Sequence, residues 1–323
     1  TTVMRFGLVG LGQMGRHHAR ILSESDEIHF VGAVDPMGDR HRAMRRGEVF
    51  ETVDDMLAVG IDAAVVAVPT IHHHEMAMKL AEANVHTLIE KPLAESVRSA
   101  EEIRDAFATE QVIGAVGHVE RFNSGLQEMK RRLDAGQLGR VISIATERVG
   151  PFPSRISDVG VVKDLATHDI DIVMWIGGAP FGDITGKTAF KMGRPHEDLV
   201  VAVGQLENGV VASLNVNWLS PVKRRRVTVL GEKGAFVVDL LSGDLRFHSN
   251  ADVVDREWDQ LAILRGVSEG DTVTYAFSKR EPLAVEHEAF RHAINDGGAE
   301  GVVTLDEGVA ILKVAERIVG SGS

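Results

Sequence analysis

The chain has 323 residues, 44% of them hydrophobic and 25% charged, which excludes disordered, collagen-like and membrane-embedded classes and suits about two domains. Its 47 acids against 35 Lys and Arg give a formal charge of −12. That balance argues against nucleic acid or an anionic membrane as a partner and requires local positive groups for any anionic substrate. The chain contains no cysteine, so disulfides, thiol nucleophiles and thiolate metal sites are excluded.

No run approaches the roughly 20 apolar residues of a membrane span, and Thr1 to Val9 lacks the charged and apolar regions of a signal segment. A soluble, cytoplasmic protein is expected. Up to about residue 118, short β-branched runs alternate with amphipathic stretches. Strands are predicted at Met4 to Val9, Ile28 to Val34, Ala63 to Val68, Val85 to Ile89 and Val112 to Val116. Helices are predicted at Gln13 to Leu22, Pro36 to Arg46, His73 to Ala83 and Glu95 to Ala108. This rhythm is that of a doubly wound α/β domain over residues 1–118.

The rhythm then changes. Leu199 to Leu206 and Val210 to Trp218 flank Glu207-Asn208-Gly209, a strong hairpin signal, and Arg226 to Leu230 with Ala235 to Leu240 form a second pair. Helices are predicted at Ser124 to Ala135, Leu165 to Ile176, Leu283 to Asn295 and Leu305 to Val319. Residues 119–323 thus read as a second α/β domain on a mostly antiparallel sheet.

Gly10-Leu11-Gly12-Gln13-Met14-Gly15 meets the G-x-G-x-x-G pattern directly after an apolar strand and before a helical pattern. Gly10 allows the tight turn, Gly12 lets the backbone approach a pyrophosphate, and Gly15 permits close packing of helix on strand. Asp35, twenty residues beyond Gly15, can accept hydrogen bonds from both ribose hydroxyls and would repel a 2′-phosphate, which favours NAD over NADP. Arg40, Arg42, Arg45 and Arg46 lie close enough in sequence to offset that repulsion.

Asp164, His168 and Asp171 stand at i, i+4 and i+7, one stripe beside the apolar residues Leu165, Ile172, Val173 and Ile176. Asp164 can cap the helix, and a lone His there often serves packing. Flanked by acids, however, its imidazole can be oriented and raised towards neutral pH, where it works as a base. Lys91, in Glu90-Lys91-Pro92 at the carboxyl end of a predicted strand, should face the nicotinamide side of the ligand crevice. His72-His73-His74 cannot all face one ion and has no acidic partners at ligand spacing, so no metal site is expected; His73 reads as a polar residue at the cofactor crevice. The run Lys223 to Arg226 reads as protection of an edge strand.

With Gly10 to Gly15, Pro69 and His73, Glu90-Lys91-Pro92-Leu93-Ala94, Arg121-Phe122-Asn123 and Asp164-x-x-x-His168-x-x-Asp171 in this order, the whole chain resembles the Gfo/Idh/MocA family of NAD(P)-dependent oxidoreductases. The resemblance implies an N-terminal Rossmann domain and a C-terminal α/β domain on a large open sheet whose exposed face makes dimers or tetramers. It also implies a cis Lys91-Pro92 bond and Lys91, Asp164 and His168 at the catalytic positions. Gly10, Gly12, Gln13, Met14, Gly15, Asp35, Pro69, His73 and Glu90 would line the cofactor.

Segments 117–123 and 150–160 resemble members that oxidise the 3-hydroxyl of nucleotide-linked amino sugars. Ser124 departs from the usual Pro there, and Lys163 from a usual aliphatic residue. Arg121, Arg148 and Arg155 are candidates to hold a diphosphate, each with a structural salt bridge as its alternative; Asn123 and Asp171 join them as substrate-binding candidates. The implied reaction is oxidation of a secondary sugar alcohol, with NAD taking the hydride, Asp164 orienting His168, Lys91 hydrogen-bonding the alcohol oxygen, and either His168 or Lys91 as formal base. The alternatives are an inositol or free-sugar dehydrogenase and a catalytically silent NAD-sensing regulator.

Overall fold

A computed structural model describes residues 3–153, 159–251 and 269–321. The chain divides into two units. Residues 1–119 with 281–313 form the first, and residues 120–280 with 314–323 the second.

The first unit is built on a six-stranded parallel sheet: β1 (Met4–Val9), β2 (Ile28–Val34), β3 (Glu48–Phe50), β4 (Ala63–Val66), β5 (His86–Glu90) and β6 (Gly114–Gly117). The strand order is β3-β2-β1-β4-β5-β6, doubly wound about a switch point between β1 and β4. Ala63 to Val66 are all buried, as a parallel strand covered on both faces must be. Helices α1 (Gly15–Glu24), α2 (Val53–Val59), α3 (His73–Glu82) and α4 (Val97–Thr109) connect the strands. Thr52 and Asp55 form a reciprocal capping box on α2, and Ser96 caps α4 through the N–H of Ser99.

Besides the unexpected helix α2, two differences from the sequence reading fall here. Pro36 to Arg46 is not a helix. Asp35 Oδ1 accepts the N–H of Met37 at 2.8 Å, the Asp39 carboxylate accepts those of Ala43 and Met44 at 3.0 Å, and Gly38 and Arg42 take left-handed conformations. These local bonds satisfy the backbone without a helix. The chain then forms the unpredicted β3, paired with β2 through Gly32 and Glu48.

The second difference concerns residues 281–313, which the sequence reading left in the second domain. They contain α7 (Pro282–Asp296) and the start of α8 (Leu305–Ser321), and they complete the first unit's core. Phe290 meets Phe6 edge to face with ring centroids 6.2 Å apart, and Ala293 and Val302 join the same apolar cluster. The N–H of Val116 also bonds the Val303 carbonyl at 2.8 Å.

The second unit carries an eight-stranded sheet: β7 (Val141–Val149), β8 (Phe181–Ala189), β9 (Leu199–Leu206), β10 (Val211–Asn217), β11 (Arg224–Gly231), β12 (Gly234–Asp239), β13 (Asp244–Ser249) and β14 (Thr272–Thr274). Their order is β14-β13-β12-β11-β7-β10-β9-β8, and β7 with β10 is the parallel pair in an otherwise antiparallel sheet. The β9–β10 hairpin turns at Gly209, whose φ of 91° suits glycine. Helices α5 (Ser124–Asp134) and α6 (Thr167–Gly177) also belong to this unit. Alternation leaves Val201, Val203 and Val211 exposed on the sheet while Val200, Ala202 and Ala212 are buried.

Candidate active site

The glycine turn joins β1 to α1 at the carboxyl edge of the first sheet. Gly10 has φ +99°, and a Cβ there would lie 2.6 Å from the Ala67 carbonyl oxygen; a Cβ on Gly15 would lie 2.0 Å from the Gly10 oxygen. These two glycines are demanded by the protein's own backbone. Gly12 differs, because a Cβ there would meet nothing within 4 Å. Its bare backbone is open to a ligand, and the first turn of α1 has neither a side-chain cap nor an acidic residue to compete with an anion. The cradle fits a dinucleotide pyrophosphate. Gln13 and Met14, both exposed, flank it.

Asp35 follows β2. Its Oδ2 accepts the N–H of Leu11 at 2.7 Å, which leaves further lone pairs for ribose hydroxyls. Arg45 pairs with Glu24 at 3.2 Å and Arg46 bonds the carbonyls of Leu22 and Ser25, so neither is directed to a phosphate beside Asp35. Pro69 is exposed at the loop after β4. His73 is buried, with Nδ1 2.9 Å from the Pro92 carbonyl and Nε2 3.0 Å from that of Val68. Burial holds its pKa below the ordinary value despite those carbonyls. The neutral ring donates to one of these carbonyls and lies between the loop after β4 and the Lys91-Pro92 segment. His74 turns instead to Glu102 at 2.9 Å, and no cluster of metal-binding side chains occurs among the described residues.

Lys91 is half-buried at the end of β5, and the Lys91-Pro92 bond is cis. Its N–H donates to Glu90 Oε2 at 3.1 Å, while Glu90 Oε1 meets His18 Nε2 at 2.8 Å. Burial alone would raise the Glu90 carboxyl, but the hydrogen bond from His18, with the Lys91 charge and N–H, holds it below the usual range. His18 gave no sequence signal, because the spacing of a helix cannot say which polar residue meets a partner 72 positions away.

In the second unit, Asp164 lies in a π-helical turn, Val162–Ala166, and His168 lies in the first turn of α6. The wider turn departs from the regular α-helix on which the stripe was drawn; π turns often mark functional sites. Gly160, which closes the 150–160 segment, and Glu197 pack against its start. Gly160 passes so close to Glu197 that a Cβ would fall 2.1 Å from its carboxyl carbon, and Glu197 accepts the N–H groups of Val161 and Val162 at 2.9 and 3.1 Å. His168 is buried and Asp164 half-buried.

Four of the expected substrate-binding residues, Arg121, Asn123, Arg148 and Asp171, bond to groups of their own unit. Arg121 makes a two-point ion pair with Asp171, with Nε 3.2 Å from Oδ2. Arg148 reaches Asp169 at 3.1 Å and Glu120 at 3.0 Å, and Arg225 shares the same Glu120 oxygen at 2.9 Å. Burial pushes the Asp169 and Asp171 carboxyls up, against the opposing pull of Arg148 and Arg121. Asn123 caps α5 through the Gly125 N–H and donates to the Leu240 carbonyl, both at 3.0 Å. Arg121 and Arg148 are thus engaged with carboxylates of their own unit. Arg155 lies outside the described residues.

A doubly wound sheet with an open glycine cradle at its switch point, an acid closing β2 and a lysine closing β5 defines a dinucleotide-dependent oxidoreductase. Residues 4–118 match the Gfo/Idh/MocA model described as an oxidoreductase family with an NAD-binding Rossmann fold, and residues 126–237 match the GFO/IDH/MocA C-terminal domain. The chain belongs to the Gfo/Idh/MocA family of oxidoreductases, with NAD as its cofactor.

It is 28% identical over 295 residues to a UDP-N-acetylglucosamine 3-dehydrogenase of Acidithiobacillus ferrooxidans, covering 90% of this chain and 88% of that one. A solved structure of the enzyme of that name and source aligns with TM-score 0.84 at 26% identity, over 99% of this chain and 98% of that chain. The myo-inositol dehydrogenase Hyg17 of Streptomyces leeuwenhoekii is 30% identical over 246 residues, 72% of this chain and 75% of its own.

Proposed function

We propose that the chain catalyses reversible oxidation of a secondary hydroxyl on a sugar or polyol, at C3 of a UDP-linked amino sugar in the finer reading. The observation that carries the finer reading is the near full-length similarity to a UDP-N-acetylglucosamine 3-dehydrogenase. Bound NAD supplies the hydride acceptor. Gly12 and the start of α1 hold its pyrophosphate, Gln13, Met14, Pro69 and Glu90 border it, and Asp35 takes the ribose. Lys91 donates to the alcohol oxygen and stabilises its developing charge; His168, oriented by Asp164, takes the hydroxyl proton. His168 and Lys91 are assigned to one reaction by chemistry, as a general base and a cationic donor.

A second reading, a polyol dehydrogenase acting on an uncharged substrate, is favoured by the commitment of Arg121 and Arg148 to internal carboxylates. Following NADH formation with UDP-N-acetylglucosamine, free hexoses and inositols in parallel separates the two. Turnover confined to inositols selects the second reading, and NAD binding without turnover on any of them would indicate a sensor. Lys91→Ala and His168→Ala should each lower kcat by about a hundredfold or more; near-normal turnover in either would remove that residue from the mechanism.

The reading extends to a cytoplasmic homodimer or homotetramer joined through the sheet face that carries Val201, Val203 and Val211. No described helix is long and apolar enough to cross a membrane. Val203→Lys should shift the sedimentation coefficient towards that of the monomer; an unchanged value would exclude this face.

A further inference from the structure

Two buried histidines from distant parts of the chain meet behind Lys91. His18 on α1 is 0% exposed, Glu90 at the end of β5 is 6% exposed and His287 on α7 is 8% exposed. Glu90 Oε1 lies 2.8 Å from His18 Nε2, and His18 Nδ1 lies 2.8 Å from His287 Nε2. The other Glu90 oxygen accepts the Lys91 N–H at 3.1 Å. The outer end of the chain reaches a cavity of about 420 Å³, lined by His287 with the charged Arg20, Glu281 and Arg291.

Hydrogen-bond capacity dictates one neutral arrangement. An ionised Glu90 only accepts, so His18 Nε2 carries its proton. His18 Nδ1 is then a lone pair, and His287 must present Nε2–H to it. Placing two imidazoles away from water costs free energy unless each donor finds an acceptor, and this arrangement satisfies all of them. Burial holds the His287 pKa well below its ordinary value, which keeps His287 in the neutral form that the arrangement needs.

We propose that His287 and His18 are positioning residues that act through Glu90 on Lys91. The donor on His287 fixes the tautomer of His18, His18 fixes the Glu90 carboxylate, and the other oxygen of that carboxylate anchors the backbone of Lys91 at the strand end. The proposal rests on the reading of Lys91 as a participant in the reaction. An error of about 1 Å in such a group can cost a hundredfold in rate.

Imidazole ¹⁵N–¹H correlation spectra of the intact wild-type protein near neutral pH test the arrangement without any substrate. Nε2–H on both His18 and His287 is expected; Nδ1–H on His287, or a cationic His287, overturns the proposal. His287→Phe removes the donor while keeping a planar ring. It should lower kcat by tenfold or more, leave NAD affinity within about twofold, and move the Lys91 amide proton upfield, as its bond to Glu90 loosens. His287→Gln, which keeps an N–H donor, should restore part of kcat and of that amide shift. An unmoved Lys91 amide in His287→Phe, or equal losses in both variants with a matching fall in Tm, would show that the pair only fills space. If instead Lys91→Ala retained turnover while the tautomers stood as described, the functional reading would fail and the hydrogen-bonded chain would remain.

Discussion

Asp35 Oδ2 accepts the backbone N–H of Leu11 at 2.7 Å, which fixes the carboxylate closing β2 against the middle of the glycine turn. The charge therefore sits where the adenosine ribose of a bound dinucleotide would lie. Asp35→Ser, which removes the charge and keeps a hydrogen-bonding group, should raise the NADP-to-NAD ratio of kcat/KM by at least about tenfold, roughly 1.4 kcal/mol. An unchanged ratio would mean that another group selects the cofactor.

The three motif glycines should fail in different ways. Gly15→Ala places a Cβ against the Gly10 oxygen and should lower Tm along with NAD affinity. Gly12→Ala meets no protein atom within 4 Å, so Tm should stay within about 2 °C while NAD affinity falls by tenfold or more. Calorimetry and a fluorescence titration on the same samples check both. Full NAD affinity in Gly12→Ala would place the pyrophosphate elsewhere.

The Arg121–Asp171 pair is buried on both sides, and removing one partner leaves an uncompensated charge. Arg121→Met should destabilise the protein by about 3–5 kcal/mol, whereas Arg121→Met with Asp171→Leu should recover much of that loss. Denaturant titration of the single and double variants measures the coupling. A single variant as stable as the wild type would contradict the structural role given to this arginine.

His73 and His287 both have folded-state pKa values below the ordinary 6.5, chiefly through burial. Above about pH 6.5 both are neutral in folded and unfolded chains, and their contribution to stability is complete. As the pH falls below that, the unfolded chain takes up protons that the folded one resists. Each histidine then removes up to about 1.4 kcal/mol per pH unit until its folded pKa is reached. Tm should be level from about pH 7.5 to 6.5 and fall towards pH 5.5, with a shallower fall in His287→Gln. A flat profile to pH 5.5 would mean that neither ring is held neutral.

The sequence by itself determined what local chemistry determines. Met4 to Val9, Ile28 to Val34 and Leu199 to Leu206 were legible as strands because the spacing and branching of their apolar residues admit little else. The Gly10 to Gly15 turn and Asp35 were legible because a pyrophosphate cradle requires those residue types at that spacing. Lys91 was legible from its place at a strand end. The tertiary structure decided whatever depended on a distant partner. It tied the Pro36 to Arg46 loop to α1, where Ser23 Oγ accepts the Arg45 N–H and the Leu22 carbonyl accepts from Arg46, and it returned residues 281–313 to the first unit, where Phe290 meets Phe6. It also paired Arg121 and Arg148 with Asp171, Asp169 and Glu120, and joined His18, Glu90 and His287 across 269 positions of chain. The physical reason is that each of these groups needs a partner, apolar cover for Phe290 and a hydrogen bond or opposite charge for the polar ones, and the sequence shows the group before the fold supplies its match.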